Sequence, residues 1–117
     1  MSRDVAPIFA DIDTLDPDKF VAHLTPDVTF RFGNNDPMTG RAAVREAVAG
    51  FFTTISGMHH HILSVYSDGD TVIAKIDVEY IRQDGKSVTV PNADILVFDG
   101  DLVSDWQIYI DLAPVFA

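Results

Sequence analysis

The side chains best suited to chemistry in this chain are carboxylates and imidazoles, and Asp94 is the first of interest. It lies in the run PNADILVF, which is typical of a strand, and a carboxylate at mid-strand is unusual. Alternate residues of a strand share a face, which groups Asp94 with Val90 and Asn92. If this face lines a pocket, burial raises the pKa of Asp94 and makes it a candidate acid or base. The alternative is an outward-facing or ion-paired structural carboxylate.

A second charged group lies on the preceding predicted strand, where Lys75, Asp77 and Glu79 share one face. The other face of that strand is apolar, and this pattern alone favours solvent for the charged face. If Asp77 instead shared a pocket with Asp94, the two carboxylates would push their pKa values apart, so that one could act as acid and the other as base.

Three consecutive histidines begin a further predicted strand, and alternation separates His60 from His59 and His61. We interpret His60 as the inward residue, a general acid or base or a hydrogen-bond donor to a ligand. A core or interface histidine is the alternative. A His-x-His pair can bind metal, but no third ligand has a motif spacing, so we predict no metal. Nucleotide- and phosphate-binding motifs are absent from the sequence, so we predict no cofactor.

These side chains must be positioned by three helices and five strands. A helix is predicted over Val5 to Ile12. A second begins at Thr14 or Asp16 before Pro17, carries Leu24 inward and stops before Thr25. Period-two alternation then predicts strands, and a broad apolar face predicts a third helix from Thr39 or Gly40. The predicted strands are Val28 to Phe32, His59 to Tyr66, Thr71 to Arg82, Ser87 to Phe98 and Leu102 to Ile110.

Asp next to Gly between the last four strands predicts tight hairpins and therefore an antiparallel meander. The 117 residues suit a single α+β domain, with helices on one face of a bent sheet that encloses a pocket for a small apolar molecule. No second domain is expected within 1–117.

Charge and composition exclude some classes of binding partner. The chain carries 8 Lys and Arg against 18 Asp and Glu, a net charge of −10, which disfavours nucleic acid and anionic membrane surfaces. The uncharged stretch from Ala47 to Ser67 is interrupted by Gly57 and has a polar middle, so we interpret it as a helix and a strand. Because the N-terminus lacks the features of a secretory signal, we expect a cytoplasmic protein.

Three stretches of sequence resemble a known superfamily: LTPDVTF at 24–30, TGRAAVREAVAGFF at 39–52 and DGKSVTVPNADILVFDGDLVSDWQIYIDLAP at 84–114. They are similar to nuclear-transport-factor-2-like domains, in particular the SnoaL-like polyketide-cyclase, limonene-epoxide-hydrolase and ketosteroid-isomerase branches. The resemblance implies a cone-shaped fold of three helices on a curved, mostly antiparallel sheet. It also implies a homodimer through the outer sheet face.

The resemblance makes specific expectations about the site. The hydrolase branch has a cavity-facing Arg and Asp where this chain has Lys75 and Asp77, which favours the pocket for both. Its water-holding residues and second Asp are replaced by Phe30, Phe32 and Ile108, so we do not expect epoxide hydrolysis by that mechanism. The isomerase branch has at Asp94 a carboxylic acid that donates a hydrogen bond to an oxyanion. Its general base is not conserved in this chain, where the corresponding position falls near Arg31 or Phe32.

The residues expected to bind a ligand are therefore Lys75 and Asn92, which would orient a substrate oxygen, and an apolar wall of Phe30, Phe32, Phe51, Ile55, Val90, Trp106, Ile108 and Ile110. With Asp94, Asp77 and His60 as the catalytic set, the resemblance favours a cofactor-independent isomerase, cyclase or lyase that acts next to a carbonyl. The alternative is a non-catalytic small-ligand-binding or dimeric assembly domain.

Overall fold

The structure, a computed structural model, describes residues 4–117. Its helices are α1 (Ala6–Ile12), α2 (Pro17–Val21) and α3 (Arg41–Phe52), and a short 3-10 turn follows at Ala113–Val115. Its strands are β1 (Leu24–Phe32), β2 (Met38–Thr39), β3 (Gly57–Asp68), β4 (Thr71–Ile81), β5 (Ser87–Asp99) and β6 (Leu102–Ile110).

The strands form one six-stranded sheet in the order β2-β1-β6-β5-β4-β3. Strands β3 to β6 form an antiparallel meander, and β1 adds to its free edge in parallel with β6. The hairpins turn at Asp-Gly pairs, with Gly69 and Gly100 in the left-handed region that favours glycine. The predicted α+β architecture, with three helices on a mostly antiparallel sheet, is confirmed.

The boundary between α2 and β1 differs from the prediction. Asp16 caps α2 as expected, accepting a hydrogen bond of 2.9 Å from the backbone N–H of Asp18, and Pro17 opens the helix. The helix ends at Val21, however, and Leu24 is already in β1. The reason is tertiary pairing, because Leu24 lies opposite Val103 of β6, an interaction that local helix propensity does not encode.

Aromatic side chains join the helical layer to the sheet. Trp106 of β6 stacks on Phe20 of α2 with ring centroids 5.2 Å apart, and Phe9 of α1 and Phe30 of β1 meet Trp106 edge-on. Such offset and edge-on pairs fix the rings relative to one another beyond the area they bury. Among the helices at 4–117, none is long and apolar enough to cross a membrane.

Candidate active site

A cavity of about 320 Å³ lies between the three helices and the concave face of the sheet. Its walls are mainly apolar, and the residues expected from the sequence that line it are Phe30, Phe32, Phe51, Trp106 and Ile108. The polar groups Asn92, Asp94 and His60 also line it. A mostly apolar cavity with a few convergent polar groups is the usual form of a small-molecule site.

Three residues assigned to the wall do not line this cavity. Ile55 and Val90 are buried in the core, and Ile110 is half-buried with its side chain beside Gly33. Val90 and Ile110 lie on the inward-facing side of their strands, as alternation predicts, whereas Ile55 lies in the segment between α3 and β3, and none of the three lines the cavity. The prediction that these three residues form the wall is therefore wrong, because facing inward is not the same as facing open space.

Asp94 lies at the centre of β5 and is only 1% exposed. Its Oδ1 accepts a hydrogen bond of 2.6 Å from the side-chain amide of Asn92, and its Oδ2 accepts one of 3.3 Å from the indole N–H of Trp106. Both carboxylate oxygens are thus held by neutral donors within the sheet. The carboxylate plane is fixed by its neighbours before any ligand enters.

The protonation of Asp94 is balanced by opposing effects. Removal from water raises the pKa of this carboxyl to about 6, while the hydrogen bond from Asn92, the nearby charge of His60 and the hydrogen bond from Trp106 oppose that rise. A carboxyl with a pKa near neutrality can both take up and release a proton under physiological conditions, as general acid–base catalysis requires.

His60 lies on β3 and is held by Asp13, which follows the last turn of α1. Asp13 Oδ1 lies 2.5 Å from His60 Nδ1, and Asp13 Oδ2 accepts a hydrogen bond of 3.0 Å from the backbone N–H of His60. The His60 side chain is 8% exposed and its ring packs 4.9 Å from that of Phe9. With Nδ1 taken by Asp13, Nε2 is the ring nitrogen left for a ligand.

Asp13 was not found by sequence reasoning. It is one of many aspartates at turns, and nothing in its spacing connects it with a histidine 47 residues away. Only the packing of α1 across β3 brings the two together. The ring lining the cavity and the carboxylate behind it form an imidazole–carboxylate pair of the kind that orients a histidine for proton transfer.

The structure places Lys75 and Asp77 on the opposite, outer face of the sheet. In β4, Ala74 is the cross-strand partner of Asp94, so even-numbered residues of β4 face the cavity and odd-numbered ones face away. Asp77 lies opposite His61 and Pro91 instead. The expectation that Asp77 and Lys75 share the cavity with Asp94 is therefore wrong. The strand pattern alone predicted that the charged face of β4 meets solvent, and the structure agrees with that prediction.

The other two histidines of the run at 59–61 follow the predicted alternation. His61 lies on the outer face, 3.2 Å from Glu79, and its ring meets that of His59 at 4.5 Å. Within the described part of the chain, no group of three His, Asp or Glu side chains is placed to hold a metal ion.

Tyr80 is the second cavity residue that sequence reasoning missed. It is 2% exposed, lines the cavity and packs edge-on against Phe51 at 6.1 Å. The alternation predicts that Tyr80 lies on the apolar face of β4, but a tyrosine that shares a face with Ala, Ile and Val is typical of a core residue. Further lining residues at the helix and C-terminal ends of the cavity were also missed, namely Ile12, Phe20, Asn35, Met38, Ala47, Val48, Phe52, Thr54, Met58, Leu112 and Phe116.

Comparison with known proteins agrees with this architecture. The family model of the SnoaL-like domain matches residues 5–106. The chain belongs to the SnoaL-like domain family. No functionally curated protein matches this SnoaL-like domain in sequence.

Solved structures extend the likeness across the whole chain. A hypothetical protein of ketosteroid-isomerase-like fold from Catenulispora acidiphila, solved with trimethylamine, has a TM-score of 0.85 at 21% identity, covering 97% of this chain and 89% of that one. TerC co-crystallised with polyporic acid has a TM-score of 0.80 at 17% identity, and the match covers 96% of this chain and 92% of TerC. An LEH-like epoxide hydrolase from M. tuberculosis has a TM-score of 0.79 at 17% identity, and the match covers 96% of this chain and 83% of the hydrolase. At these identities the likeness establishes the fold.

The SnoaL-like domain therefore presents two proton-carrying groups to one apolar space. Asp94 lines the cavity from the sheet, and His60, held by Asp13, lines it where α1 packs on β3. A buried carboxyl and an oriented imidazole can remove a proton from one atom of a ligand while stabilising negative charge on another.

Proposed function

We propose that this SnoaL-like domain is a cofactor-independent enzyme that moves a proton at a carbon next to the carbonyl of a small hydrophobic ketone. The observation that carries the proposal is the buried carboxyl of Asp94, whose pKa is raised to about 6 inside an apolar cavity that it shares with the Asp13–His60 pair. The structural neighbour TerC, co-crystallised with polyporic acid, supports a small organic ligand for this fold.

In the proposed step, the Asp94 carboxylate takes the proton from the carbon next to the carbonyl. The electron pair of that C–H bond forms the carbon–carbon double bond of an enolate, and the negative charge moves to the substrate oxygen. His60, held by Asp13 at Nδ1, donates a hydrogen bond from a protonated Nε2 to this oxygen. In a ketone that also carries a carbon–carbon double bond conjugated with this enolate, return of the proton from Asp94 to the far carbon of the dienolate shifts that double bond and completes an isomerisation.

The size of the cavity indicates the size of the ligand. About 320 Å³ is at the lower end of the range of roughly 300–1,000 Å³ found for small-molecule sites. A ligand of one or two rings fits this space, and aromatic side chains from three elements can contact its flat faces, including Phe20, Phe51 and Trp106.

The test is deuterium exchange into 2-tetralone, a small bicyclic ketone with a benzylic CH2 next to its carbonyl. NMR in D2O follows loss of the proton signal with wild type and with Asp94→Asn. We expect wild type to accelerate exchange and Asp94→Asn to lower the enzymatic rate about 100- to 10,000-fold, since the amide cannot accept the proton.

Asp77→Asn is the matched control, because it makes the same chemical change on the outer face of the same sheet. It should exchange at the wild-type rate. Wild type that binds 2-tetralone without exchanging it faster than Asp94→Asn would contradict the enzyme and support the alternative, a small-ligand-binding domain.

We also propose that two copies of the chain pair through the outer sheet face. The apolar side chains of Tyr66, Ile73 and Tyr109 are 61%, 40% and 56% exposed there, around a shallow groove that also contains Lys75 and Asp77. A two-fold arrangement lets one such surface meet itself, with unlike charges available from both copies. With a net charge of −10, neither nucleic acid nor an anionic membrane surface is proposed as a partner.

A further inference from the structure

The hydroxyl of Tyr80 is a buried polar group that the proposed step does not use. Tyr80 is 2% exposed and lines the cavity, and within residues 4–117 its hydroxyl makes no hydrogen bond to protein. Among the described residues, the fully buried side-chain polar atoms without a hydrogen bond are Thr25 Oγ1 and Arg41 Nε, so the Tyr80 hydroxyl is not sealed in the core but open to the cavity. Here the cavity is the side from which a partner can come.

Strand register places Tyr80 beside His60 on the inward face of the sheet. His60 of β3 lies opposite Val78 of β4, and Tyr80 is the next inward-facing residue along β4. Such diagonal neighbours lie roughly 7–8 Å apart at the backbone, within the reach of an aromatic side chain. The edge-on contact with Phe51 holds the Tyr80 ring in position.

The surroundings keep this hydroxyl a donor. Burial, together with the carboxylates of Asp94 and Asp13, raises the pKa of Tyr80 above its ordinary value, so the group remains protonated throughout the physiological range. Asp94 itself is already held by Asn92 and Trp106. A neutral hydroxyl donor open to the cavity favours a ligand atom that accepts a hydrogen bond, and a neutral carbonyl oxygen does so without adding a full negative charge beside the two carboxylates.

We propose that Tyr80 is a second hydrogen-bond donor, with His60, to the carbonyl oxygen of the ligand, and that the ligand is therefore an aryl or benzylic ketone that presents a single oxygen at this end of the cavity. The inference rests on the proposed function for the class of ligand. It extends that function because it assigns a further residue that touches the reacting oxygen.

The experiment compares 2-tetralone with its isostere 2-methylenetetralin, in which the carbonyl oxygen is replaced by CH2. Binding is measured for both compounds with wild type and Tyr80→Phe, by ligand-observed NMR or calorimetry. In wild type the ketone should bind more tightly than the isostere. Tyr80→Phe should reduce that preference about 3- to 10-fold through weaker ketone binding alone, as expected for loss of one buried hydrogen bond.

Tyr66→Phe, the same change on the outer face at a residue 61% exposed, is the control and should keep the wild-type preference. Tyr80→Phe should also be no less stable than wild type, since it removes no hydrogen bond within the protein. An unchanged preference in Tyr80→Phe, or a destabilised variant that binds both compounds equally less well, would overturn the assignment.

The binding comparison needs no turnover, so it separates the two proposals. A Tyr80-dependent preference without any deuterium exchange supports the oxygen-binding role and contradicts the enzyme. Exchange that depends on Asp94 and is accompanied by an unchanged preference in Tyr80→Phe supports the enzyme and overturns the role of Tyr80.

Discussion

The two faces of the sheet each carry a carboxylate on neighbouring strands, Asp94 on β5 and Asp77 on β4. Asp94 is 1% exposed, and its oxygens are held by Asn92 and Trp106. Asp77 lies on the outer face, in a groove open to solvent. The comparison shows that the same residue type becomes a buried carboxyl with a raised pKa or a surface charge according to one property, the parity of its position in the strand.

The largest effect expected from this difference is in the pH dependence of stability. Burial raises the pKa of Asp94 from its ordinary 3.8 to about 6, so the contribution of this group to stability is complete below pH 4 and is lost as the pH rises through 6. The loss is about 3 kcal/mol, from 1.36 kcal/mol per pKa unit. Relative to wild type, Asp94→Asn should therefore become more stable by about that amount between pH 4 and pH 7.

Denaturant unfolding at a series of pH values measures this change. Asp77→Asn is again the control, and its stability relative to wild type should change little over the same range. Equal pH profiles for wild type and Asp94→Asn would show that Asp94 is not buried as a charge, and would remove the distinction between the two faces.

A smaller effect is expected from the carboxylate behind His60. Asp13→Asn keeps the shape and can still accept from the His60 backbone N–H, but it removes the negative charge beside Nδ1. We expect exchange of 2-tetralone to fall about tenfold with KM unchanged, because Asp13 positions the imidazole and does not touch the ligand. The nitrogen chemical shifts of His60 should report a change in its tautomer or charge.

Asp11→Asn provides the control for that substitution. Asp11, in the last turn of α1, makes the same kind of contact, 2.8 Å from Nε2 of His23, but neither Asp11 nor His23 lines the cavity. Its exchange rate should match wild type. A loss of activity in Asp11→Asn equal to that in Asp13→Asn would mean that α1 acts only through its packing.

The smallest effect concerns the outer face. Tyr109→Ala removes one exposed ring from the surface proposed to pair two copies, and most single truncations at interfaces cost about 1 kcal/mol or less. We expect the dissociation constant of the dimer, measured by sedimentation, to rise about fivefold. Wild type that sediments as a monomer at all concentrations would contradict pairing through this face.

Much of the fold could be predicted because local signals agreed with one another. Asp-Gly turns fixed the hairpins of the meander, and Asp16 followed by Pro17 marked the start of α2. Within the candidate site, alternation correctly grouped Asp94 with Asn92. Two sets of predictions within the site were wrong. Lys75 and Asp77 were placed by the family resemblance against the polar pattern of the strand, and Ile55, Val90 and Ile110 pack in or against the core without lining the cavity.

Other parts of the site depend on contacts that local patterns do not encode. Asp13 meets His60 only because α1 crosses β3, and one aspartate in a turn looks like another. Leu24 joined β1 because of its partner Val103, far away along the chain. Alternation placed Tyr80 on the inward face of β4. Whether an inward residue packs in the core or lines a cavity depends on tertiary packing, which the strand pattern does not encode.

The parallel pairing of β1 with β6 also has a consequence for the order of folding. Each hairpin of the meander closes over a few residues, whereas Phe30 and Trp106 lie opposite one another with most of the chain between them. Contacts of such long sequence separation bear a larger loop-closure entropy and form late. We therefore expect the cavity wall that these rings share to be completed late, because β1 cannot pair with β6 until β6 has been synthesised.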